Sequence, residues 1–433
     1  MRPLDPLMQE ALPVIRKLES GGFEAVFVGG CVRDSLMGRP LADIDIATSA
    51  LPEQVAALFP RTLPTGLRHG TVTVRSGGRT CEVTTYRVES GYHDHRRPSE
   101  VEFVDDLTTD LMRRDFTINA IAMRADGTVV DPFGGIADLK RRVIRCVGDP
   151  EERFCEDALR MLRAIRFASV FGFRLAFSVW KALVRCRELL RHIAMERIRA
   201  ELEKIMAGPD PGRGLALLTA SGLAAYTKEP LPEALRAAKR PDPGSPLARC
   251  AGGLSQVAGL SERLAALFMM AGASPEDAAS ALKTLRFPKA ETERIVSVVR
   301  LHAMTGGGRP LGEPVPVPEN PVHSASRTQW IDAVLACGAE AADGWLSIAG
   351  ACRLVPSDVQ AQRRTWLKEL PAASVRELAV GGSDLIRRLG LTAGPAVGRL
   401  LDKLLREVAY GRLPNEREAL LEQAETWNKN RGD

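Results

Sequence analysis

The sequence predicts an α+β protein in which a small mixed-sheet domain is followed by an all-helical part. Up to about residue 150, segments rich in β-branched or alternating apolar residues are interspersed with short helical patterns, as in a sheet covered by helices. Beyond that point the strand pattern disappears, and apolar residues recur at helical spacing with many Arg and Glu residues between them. The length of 433 residues suggests about two to four domains.

Composition restricts the class of protein. A hydrophobic content of 45% and a charged content of 26% are ordinary for a soluble globular chain. No apolar run reaches membrane-spanning length, and the N-terminus lacks an apolar signal core, so we expect a cytoplasmic protein with no membrane partner. The eight cysteines form no CxxC pair and lie near no His cluster. Reduced, mostly buried thiols therefore fit better than a zinc site or disulfides.

The elements follow in order along the chain. Residues 1–20 predict an amphipathic helix, and residues 52–59 and 107–114 predict two more. Strands are predicted at residues 23–28, 44–47, 71–75, 80–86 and 118–123.

Later segments predict helices and breaks. Residues 151–168 and 179–206 predict helices, and the Gly-Pro-Asp-Pro-Gly run at 208–212 ends the second. Loop-rich stretches occupy residues 228–254 and 305–323, and the second is the better domain boundary because it lacks any periodic apolar pattern. The sequence thus divides into segments 1–150, 151–208, 209–304 and 324–433.

Two glycines and two aspartates suggest chemistry on phosphates. Gly29 and Gly30 follow an apolar run, and Asp43 and Asp45 lie two apart on a predicted strand. Alternation places both carboxylates on one face, where they repel each other unless a cation lies between them. Glycine lets backbone N–H groups approach a phosphate. The pattern favours metal-assisted phosphoryl or nucleotidyl transfer; the alternative is a solvated strand edge.

Glu82 lies in another predicted strand. If that strand neighbours the one bearing Asp43 and Asp45, Glu82 could be a third carboxylate of the metal site. The alternative, a strand charge that faces water, stays open.

An arginine pair precedes short polar residues. Arg113 and Arg114 can place a guanidinium on a triphosphate, where bidentate geometry helps. Asp115 and Asn119 suit ribose hydroxyls. A charge cluster at a helix C-terminus is the alternative.

Asp157 and Arg160 lie three apart in a predicted helix, so we expect them on one face. Asp157 can accept from an exocyclic amine while Arg160 donates to a ring nitrogen or carbonyl. Cytosine and adenine offer that pattern, whereas uracil and guanine place a carbonyl against the carboxylate, which is costly. The alternative is an exposed, salt-bridged helix.

Together these segments resemble the class II tRNA nucleotidyltransferases, or CCA-adding enzymes, and their relatives the bacterial poly(A) polymerases, within the DNA polymerase beta nucleotidyltransferase superfamily. The matching pieces appear in the family's order and spacing over residues 20–206, at 29–34, 43–45, 113–120, 131–139, 156–167 and 196–202. A shorter match at 382–398 resembles the tail of Gram-positive-type members. One departure is Ala158, where many relatives have Pro, which the chemistry does not require.

The resemblance implies a nucleotidyltransferase head (1–150), a helical neck that recognises the nucleotide (151–208), an RNA-binding helical body (209–304) and a tRNA-binding helical tail (324–433). It implies template-independent addition of C, C and A to the 3′ end of tRNA, with CTP and ATP as substrates and Mg²⁺ as cofactor. Metal ligation falls to Asp43 and Asp45. Nucleotide contacts fall to Gly30, Arg33, Arg114, Asp157, Arg160, Arg163 and Arg166.

Several alternatives share this head. Relatives add only CC or only A, and poly(A) polymerases extend further; the full-length loop at residues 87–107 resembles that of complete CCA-adding members. The His93-Asp94 pair gives weak support to a metal-dependent phosphohydrolase. A catalytically inactive RNA-binding protein is the rival from another class. The oligomeric state is left open, with a homodimer among the alternatives.

Overall fold

A mixed sheet at the start of the chain precedes a long series of helices, which confirms the predicted α+β class. The computed structural model describes residues 4–66, 70–76, 78–93, 97–236, 246–307 and 327–429. The chain divides into a first unit, Met1–Ile205 with Leu217–Pro230, and a second unit, Met206–Ala216 with Leu231–Asp433. The finer division into four segments stays a prediction.

The first 150 residues hold the sheet and its covering helices. In chain order the elements are α1 (Pro6–Ser20), β1 (Ala25–Val28), α2 (Gly30–Met37), β2 (Asp45–Thr48), α3 (Pro52–Leu58), β3 (Thr62–Gly66), β4 (Thr71–Ser76), β5 (Arg79–Thr85), β6 (Arg87–His93), β7 (Arg97–Phe103), α4 (Leu107–Met112), a 3₁₀ helix (Thr117–Asn119), β8 (Ala122–Met123), β9 (Val129–Val130), α5 (Gly135–Arg141) and β10 (Val143–Ile144).

The main sheet has seven strands in the order β3-β4-β5-β2-β1-β8-β9. Strands β2 and β5 run parallel, and the other neighbours are antiparallel. Both faces are covered. Along the central strand β1, Ala25 and Phe27 belong to one core cluster, whereas Val26 and Val28 belong to the other, as alternation requires. The part of the sheet that carries Asp45 therefore packs against a core on both faces.

Helix α1 shows how local sequence defines an element here. Asp5 precedes the helix and its carboxylate accepts from the Leu7 N–H at 2.9 Å, while Pro6 occupies the first turn. The buried residues recur at helical spacing. They are Met8, Ala11, Val14, Ile15 and Leu18.

Two predictions for the head were wrong. Residues 118–123 do not form one strand, because the Asp115 carboxylate accepts from the Phe116 N–H at 2.8 Å and from Asn119 Nδ2 at 2.9 Å, which turns the chain into a 3₁₀ helix; only Ala122–Met123 is extended. The loop predicted at 87–107 contains the paired strands β6 and β7. Asp94 of the His93-Asp94 pair lies outside the described residues.

Helices dominate from Pro150 onward, with one short exception. The elements up to residue 226 are α6 (Pro150–Glu156), α7 (Leu159–Phe171), β11 (Arg174–Leu175), α8 (Phe177–Cys186), a 3₁₀ helix (Arg187–His192), α9 (Met195–Ala207), α10 (Pro211–Ser221) and a 3₁₀ helix (Leu223–Tyr226). Strand β11 pairs in parallel with β10. The single helices predicted at 151–168 and 179–206 are each interrupted.

The rest of the chain is helical throughout the described residues. The elements are α11 (Glu233–Arg236), α12 (Pro246–Gly253), a 3₁₀ helix (Leu254–Gln256), α13 (Leu260–Met270), α14 (Pro275–Thr284), α15 (Lys289–His302), a π-helical turn (Ala303–Gly307), α16 (Arg327–Cys337), α17 (Ala339–Cys352), α18 (Ser357–Lys368), a 3₁₀ helix (Val375–Glu377), α19 (Gly382–Leu389), α20 (Pro395–Ala409) and α21 (Arg417–Lys429). Most of the boundary predicted at 305–323 lies outside the described residues.

Two further observations complete the fold. The last three helices enclose a core of their own, which includes Leu385, Leu404 and Leu420. No described helix combines the length and apolar character that crossing a membrane requires.

Candidate active site

The two predicted aspartates lie at the start of strand β2. The strand begins at Asp45, so Asp43 falls just before it rather than within it. The alternation nevertheless holds, because Asp43 is exposed, Ile44 is buried, Asp45 is half-buried and Ile46 is buried. In the parallel pairing with β5, Asp45 lies directly opposite Glu82. The strand that bears Glu82 is therefore a neighbour of the strand that bears Asp45, as the hypothesis for Glu82 required.

The electrostatics of Asp45 suit a cation. Burial raises the pKa of its carboxyl group, the charge of Glu82 raises it further, and Asp43 adds to the effect, while Arg114 opposes them. An ionised carboxylate held beside two others is stabilised by a bound cation. The described residues contain no group of three or more His, Cys, Asp or Glu side chains that could by itself hold a metal ion.

The turn between β1 and α2 brings backbone close to this carboxylate. Gly29 has φ 73° and ψ −128°, a conformation that is essentially restricted to glycine. A Cβ atom there would lie 2.8 Å from Arg114 Nη1 and 3.7 Å from Asp45 Oδ2. Helix α2 begins at Gly30, so its first N–H groups point toward the same region, where an anion is favoured.

Arg33, one turn into α2, is buried with its charge compensated. Its Nη1 donates to Asn119 Oδ1 at 2.6 Å, and its Nε and Nη2 donate to Asp34 at 3.0 and 2.7 Å. The guanidinium also lies over the Phe171 ring, 4.7 Å from its centroid. These contacts fix the guanidinium before any ligand binds.

Asp115 is a buried carboxylate that lines the site. It accepts from Asn119 Nδ2 at 2.9 Å and from Arg163 Nε at 2.8 Å, with Arg163 Nη2 at 2.5 Å. Burial alone would raise the pKa of Asp115, but the Arg163 guanidinium and the Asn119 amide lower it to about 2. The carboxylate therefore stays ionised and holds Arg163 in place.

Arg114 is held by a network that the sequence interpretation missed. Its Nη2 pairs with buried Asp110 at 3.4 Å, and Arg113 Nη2 pairs with the same carboxylate at 2.9 Å. Glu89 on β6 accepts from Arg113 Nη1 at 3.2 Å and pairs with Arg87 Nη2 at 2.7 Å. The spacing of Asp110, three and four residues before the arginines on a helix, is a signal that could have identified it.

Asp157 does not lie inside a helix, contrary to the prediction. It ends α6 with extended backbone, and its carboxylate accepts from the Leu159 N–H at 3.1 Å. A short acidic side chain that bonds to nearby backbone in this way competes with helix continuation. The other oxygen pairs with Arg197 Nη2 at 2.8 Å. Asp157 and Arg160 therefore do not lie on one face of a single helix.

Arg160 and Arg166 are also paired within the protein. Arg160 Nη1 donates to Glu156 Oε2 at 2.5 Å, and its Nη2 donates to the Arg113 carbonyl at 3.0 Å. Arg166 Nε lies 2.9 Å from the buried Glu201 carboxylate. These pairs hold the guanidiniums of α7 in fixed positions.

A cavity of about 510 Å³ collects these groups within the first unit. The predicted residues that line it are Gly30, Arg33, Asp45, Arg113, Arg114, Asp115, Asn119, Asp157, Arg160, Arg163 and Arg166. Residues that the sequence did not single out also line it, among them Arg87, Glu89 and Arg197. Asp43 and Glu82 are not among its lining residues. Eight arginines face four carboxylates, and a cavity of this size accommodates a small ligand. The arrangement suits a compact polyanion that carries a hydrogen-bonding ring.

Family comparisons agree with this geometry. Three family models match the chain: the poly A polymerase head domain at residues 25–145, the probable RNA and SrmB-binding site of polymerase A at 172–234, and tRNA nucleotidyltransferase domain 2 at 334–424. The CCA-adding enzyme of Geobacillus stearothermophilus is 39% identical, over 99% of this chain and 100% of its own length. That of Levilactobacillus brevis is 39% identical, over 95% and 96%.

Solved structures give the same result. The chain is similar to the Bacillus stearothermophilus CCA-adding enzyme in complex with CTP, with a TM-score of 0.78, 37% identity and 99% coverage of both chains. It is also similar to the Thermotoga maritima CCA-adding enzyme complexed with tRNA, with a TM-score of 0.63, 20% identity, and coverage of 98% and 96%. At that identity the second likeness shows the shared fold alone.

Proposed function

Because this chain belongs to the family of CCA-adding enzymes, we propose that it adds C, C and A to the 3′ end of tRNA, using CTP and ATP and releasing pyrophosphate. The observation that carries the proposal is the match over the whole chain to CCA-adding enzymes at 39% identity, together with an arginine-lined cavity beside the aspartate pair. Nothing in the comparisons favours addition of A alone, addition of CC alone, poly(A) synthesis or an inactive RNA-binding protein.

The reaction is attack by the tRNA 3′-hydroxyl on the α-phosphorus of the nucleotide. The family generally uses a divalent metal, and we propose Mg²⁺ held by Asp43 and Asp45. A bound cation would make the hydroxyl a better nucleophile and stabilise charge on the leaving oxygens. The raised pKa of Asp45 is consistent with this assignment, because burial, and then the charges of Glu82 and Asp43, disfavour its ionised form unless a cation is near. Glu82, opposite Asp45 on β5, is proposed as an additional carboxylate that acts on the same centre.

The protein contributes position and charge. Backbone N–H groups at Gly30 and the guanidiniums of Arg33 and Arg114 are proposed to hold the triphosphate. Asn119 is proposed to contact the ribose, and Asp115 to do so directly or by holding Asn119 and Arg163 in place. Preorganised donors of this kind stabilise developing charge without having to reorganise during the reaction.

Base selection is assigned to Asp157 and Arg160. Both line the cavity, which supports a shared role although Asp157 ends one helix and Arg160 belongs to the next. The Asp157 carboxylate would accept the exocyclic amine of cytosine or adenine, and Arg160 would donate to the ring. A carbonyl in place of the amine, as in uracil or guanine, would leave the carboxylate unpaired and repelled. Arg163 and Arg166 support these groups from the same helix.

The proposal is tested with three tRNA transcripts that end before CCA, after C and after CC. Each is supplied with CTP, ATP or both in the presence of Mg²⁺. We expect extension of the first transcript to a complete CCA end and no further. Addition of A only to the third transcript, or arrest after CC, would assign a partial activity instead.

A matched pair of variants tests the metal assignment. Asp43→Ala should abolish addition while tRNA binding, followed by filter retention, is preserved. Asp105→Ala removes an exposed carboxylate elsewhere in the head and should leave the rate unchanged. Activity that survived Asp43→Ala would show that the ligand assignment is wrong.

A further inference from the structure

Two cysteines that the proposed reaction does not use lie side by side at a helix pair. Cys155 is on α6 and is exposed, and Cys186 is the last residue of α8 and is partly buried. The Cys155 thiol is close enough to Cys186 to raise its pKa, and the two helices pack together. One turn before Cys155 on the same helix, Glu151 pairs with Arg185 Nη1 at 2.8 Å. The ion pair and the thiol pair join the same two helices.

This arrangement suits a disulfide. A disulfide requires that two Cβ atoms come within about 4.5 Å of each other, and neighbouring cysteines on two helices that pack together and share an ion pair approach that condition. Neither cysteine forms a disulfide in this structure. Exposure makes Cys155 accessible to an oxidant, whereas burial and the neighbouring Cys155 thiol raise the pKa of Cys186 to about 11, which keeps it protonated. Cys155 is therefore the thiol that reacts first, and Cys186 is the one that resolves it.

The pair is also next to the base-selecting residues. Cys155 directly precedes Glu156, whose carboxylate holds Arg160 Nη1 at 2.5 Å, and Asp157 follows as the residue that ends α6. In the proposed function, Asp157 and Arg160 bind cytosine first and then adenine, which is larger. Because Asp157 ends α6, the end of this helix has to move to make room for adenine. A covalent link at Cys155 would restrict that adjustment.

We propose that Cys155 and Cys186 form a reversible disulfide that slows nucleotide addition. The oxidant is a hydroperoxide, with hydrogen peroxide as the simplest case. The Cys155 thiolate attacks one peroxide oxygen, the O–O bond breaks, and hydroxide leaves and is protonated to water. Cys155 is then a sulfenic acid. The Cys186 sulfur attacks the sulfenic sulfur and loses its proton, the S–O bond breaks, and a second water leaves. The two thiols supply the two electrons that reduce the peroxide.

The chemical part of the proposal is tested on the full-length protein. The protein is treated with hydrogen peroxide, its remaining thiols are alkylated, and it is digested and analysed by mass spectrometry without reduction. We expect a cross-linked peptide pair that contains Cys155 and Cys186 and disappears after dithiothreitol. Absence of that pair would overturn the proposal. Cys250 and Cys352 are both buried, and the Cys352 thiol donates to the Cys250 carbonyl at 3.4 Å; they provide an internal comparison and should cross-link more slowly.

The regulatory part rests on the proposed function and has its own readout. Oxidised protein should extend a tRNA transcript at least threefold more slowly than reduced protein, and dithiothreitol should restore the rate. Cys155→Ser and Cys186→Ser should each keep the reduced rate after peroxide. An unchanged rate in fully cross-linked protein would refute the switch. If the reduced protein added no nucleotide, the proposed function would fail, whereas the disulfide and its effect on CTP affinity would still be measurable.

Discussion

Replacing Asp115 with asparagine removes a buried negative charge while it keeps the shape of the side chain. The asparagine oxygen can still accept from the Phe116 N–H and the Asn119 amide, which the wild-type carboxylate does at 2.8 and 2.9 Å. What is lost is the charge-assisted pair with Arg163, whose Nε lies at 2.8 Å. Arg163 would then be left without its carboxylate.

The size of the effect follows from the pKa of Asp115. The fold lowers it from 3.8 to about 2, and each unit corresponds to about 1.4 kcal/mol. The ionised carboxylate therefore contributes about 2 kcal/mol to the free energy of unfolding. Because the pKa is depressed in the fold, this contribution is fully present above pH 3.8 and is lost as the pH falls toward 2.

Urea unfolding followed by circular dichroism at pH 7 and pH 3 measures this contribution. Asp115→Asn should lower the free energy of unfolding by about 2 kcal/mol at pH 7, and the difference should fall to roughly half near pH 3. Asp105→Asn, an exposed carboxylate of the same unit, should change neither value. An Asp115→Asn protein as stable as the wild type at pH 7, or a difference independent of pH, would refute the reasoning.

Three further predictions concern the same site. Gly29→Ala should lower the free energy of unfolding by about 1–3 kcal/mol and reduce the rate of addition, because its Cβ would lie 2.8 Å from Arg114 Nη1. Gly38 has φ 65° and open space around it. Gly38→Ala should therefore lower stability through backbone strain without a loss of rate. Asp45→Asn should raise the melting temperature of the metal-free protein, because the raised pKa of Asp45 means that the fold penalises its charge, and Mg²⁺ should then stabilise only the wild type; a lower melting temperature would contradict this. Asp157→Ala should weaken the rejection of UTP more than it lowers tRNA affinity, measured as the ratio of kcat/KM for CTP to that for UTP; unchanged rejection would exclude Asp157 as the selecting group.

Patterns that depend on near neighbours in sequence could be predicted. The alternation of Asp43, Ile44, Asp45 and Ile46 needs only a strand, and the structure preserves it. The glycine turn before α2 likewise follows from local sequence. Local sequence was therefore sufficient to predict the sheet domain at the start of the chain and the aspartate pair within it.

Features decided by distant partners could not be predicted. Asp157 pairs with Arg197, 40 residues away, and caps the following helix instead of continuing its own. Strands β6 and β7 were missed because their sequences, RVESGYH and RPSEVEF, lack an apolar alternation and form a sheet of their own. The role of Glu89 depends on that hairpin and was missed with it.

Strand β2 also determines which kinds of genetic change the active site can survive. All four of its residues pair with β5, and Ile46, Ala47 and Thr48 also pair with β1; Asp45 lies on one face of the strand, and Ile46 packs into the core on the other. Inserting or deleting one residue would exchange those faces, placing Ile46 on the face that now carries Asp45 and Asp45 in the core where Ile46 now packs. Substitutions in this strand alter one contact at a time, whereas changes of length remove the site in a single step. Variation in length should therefore be confined to segments outside the paired strands.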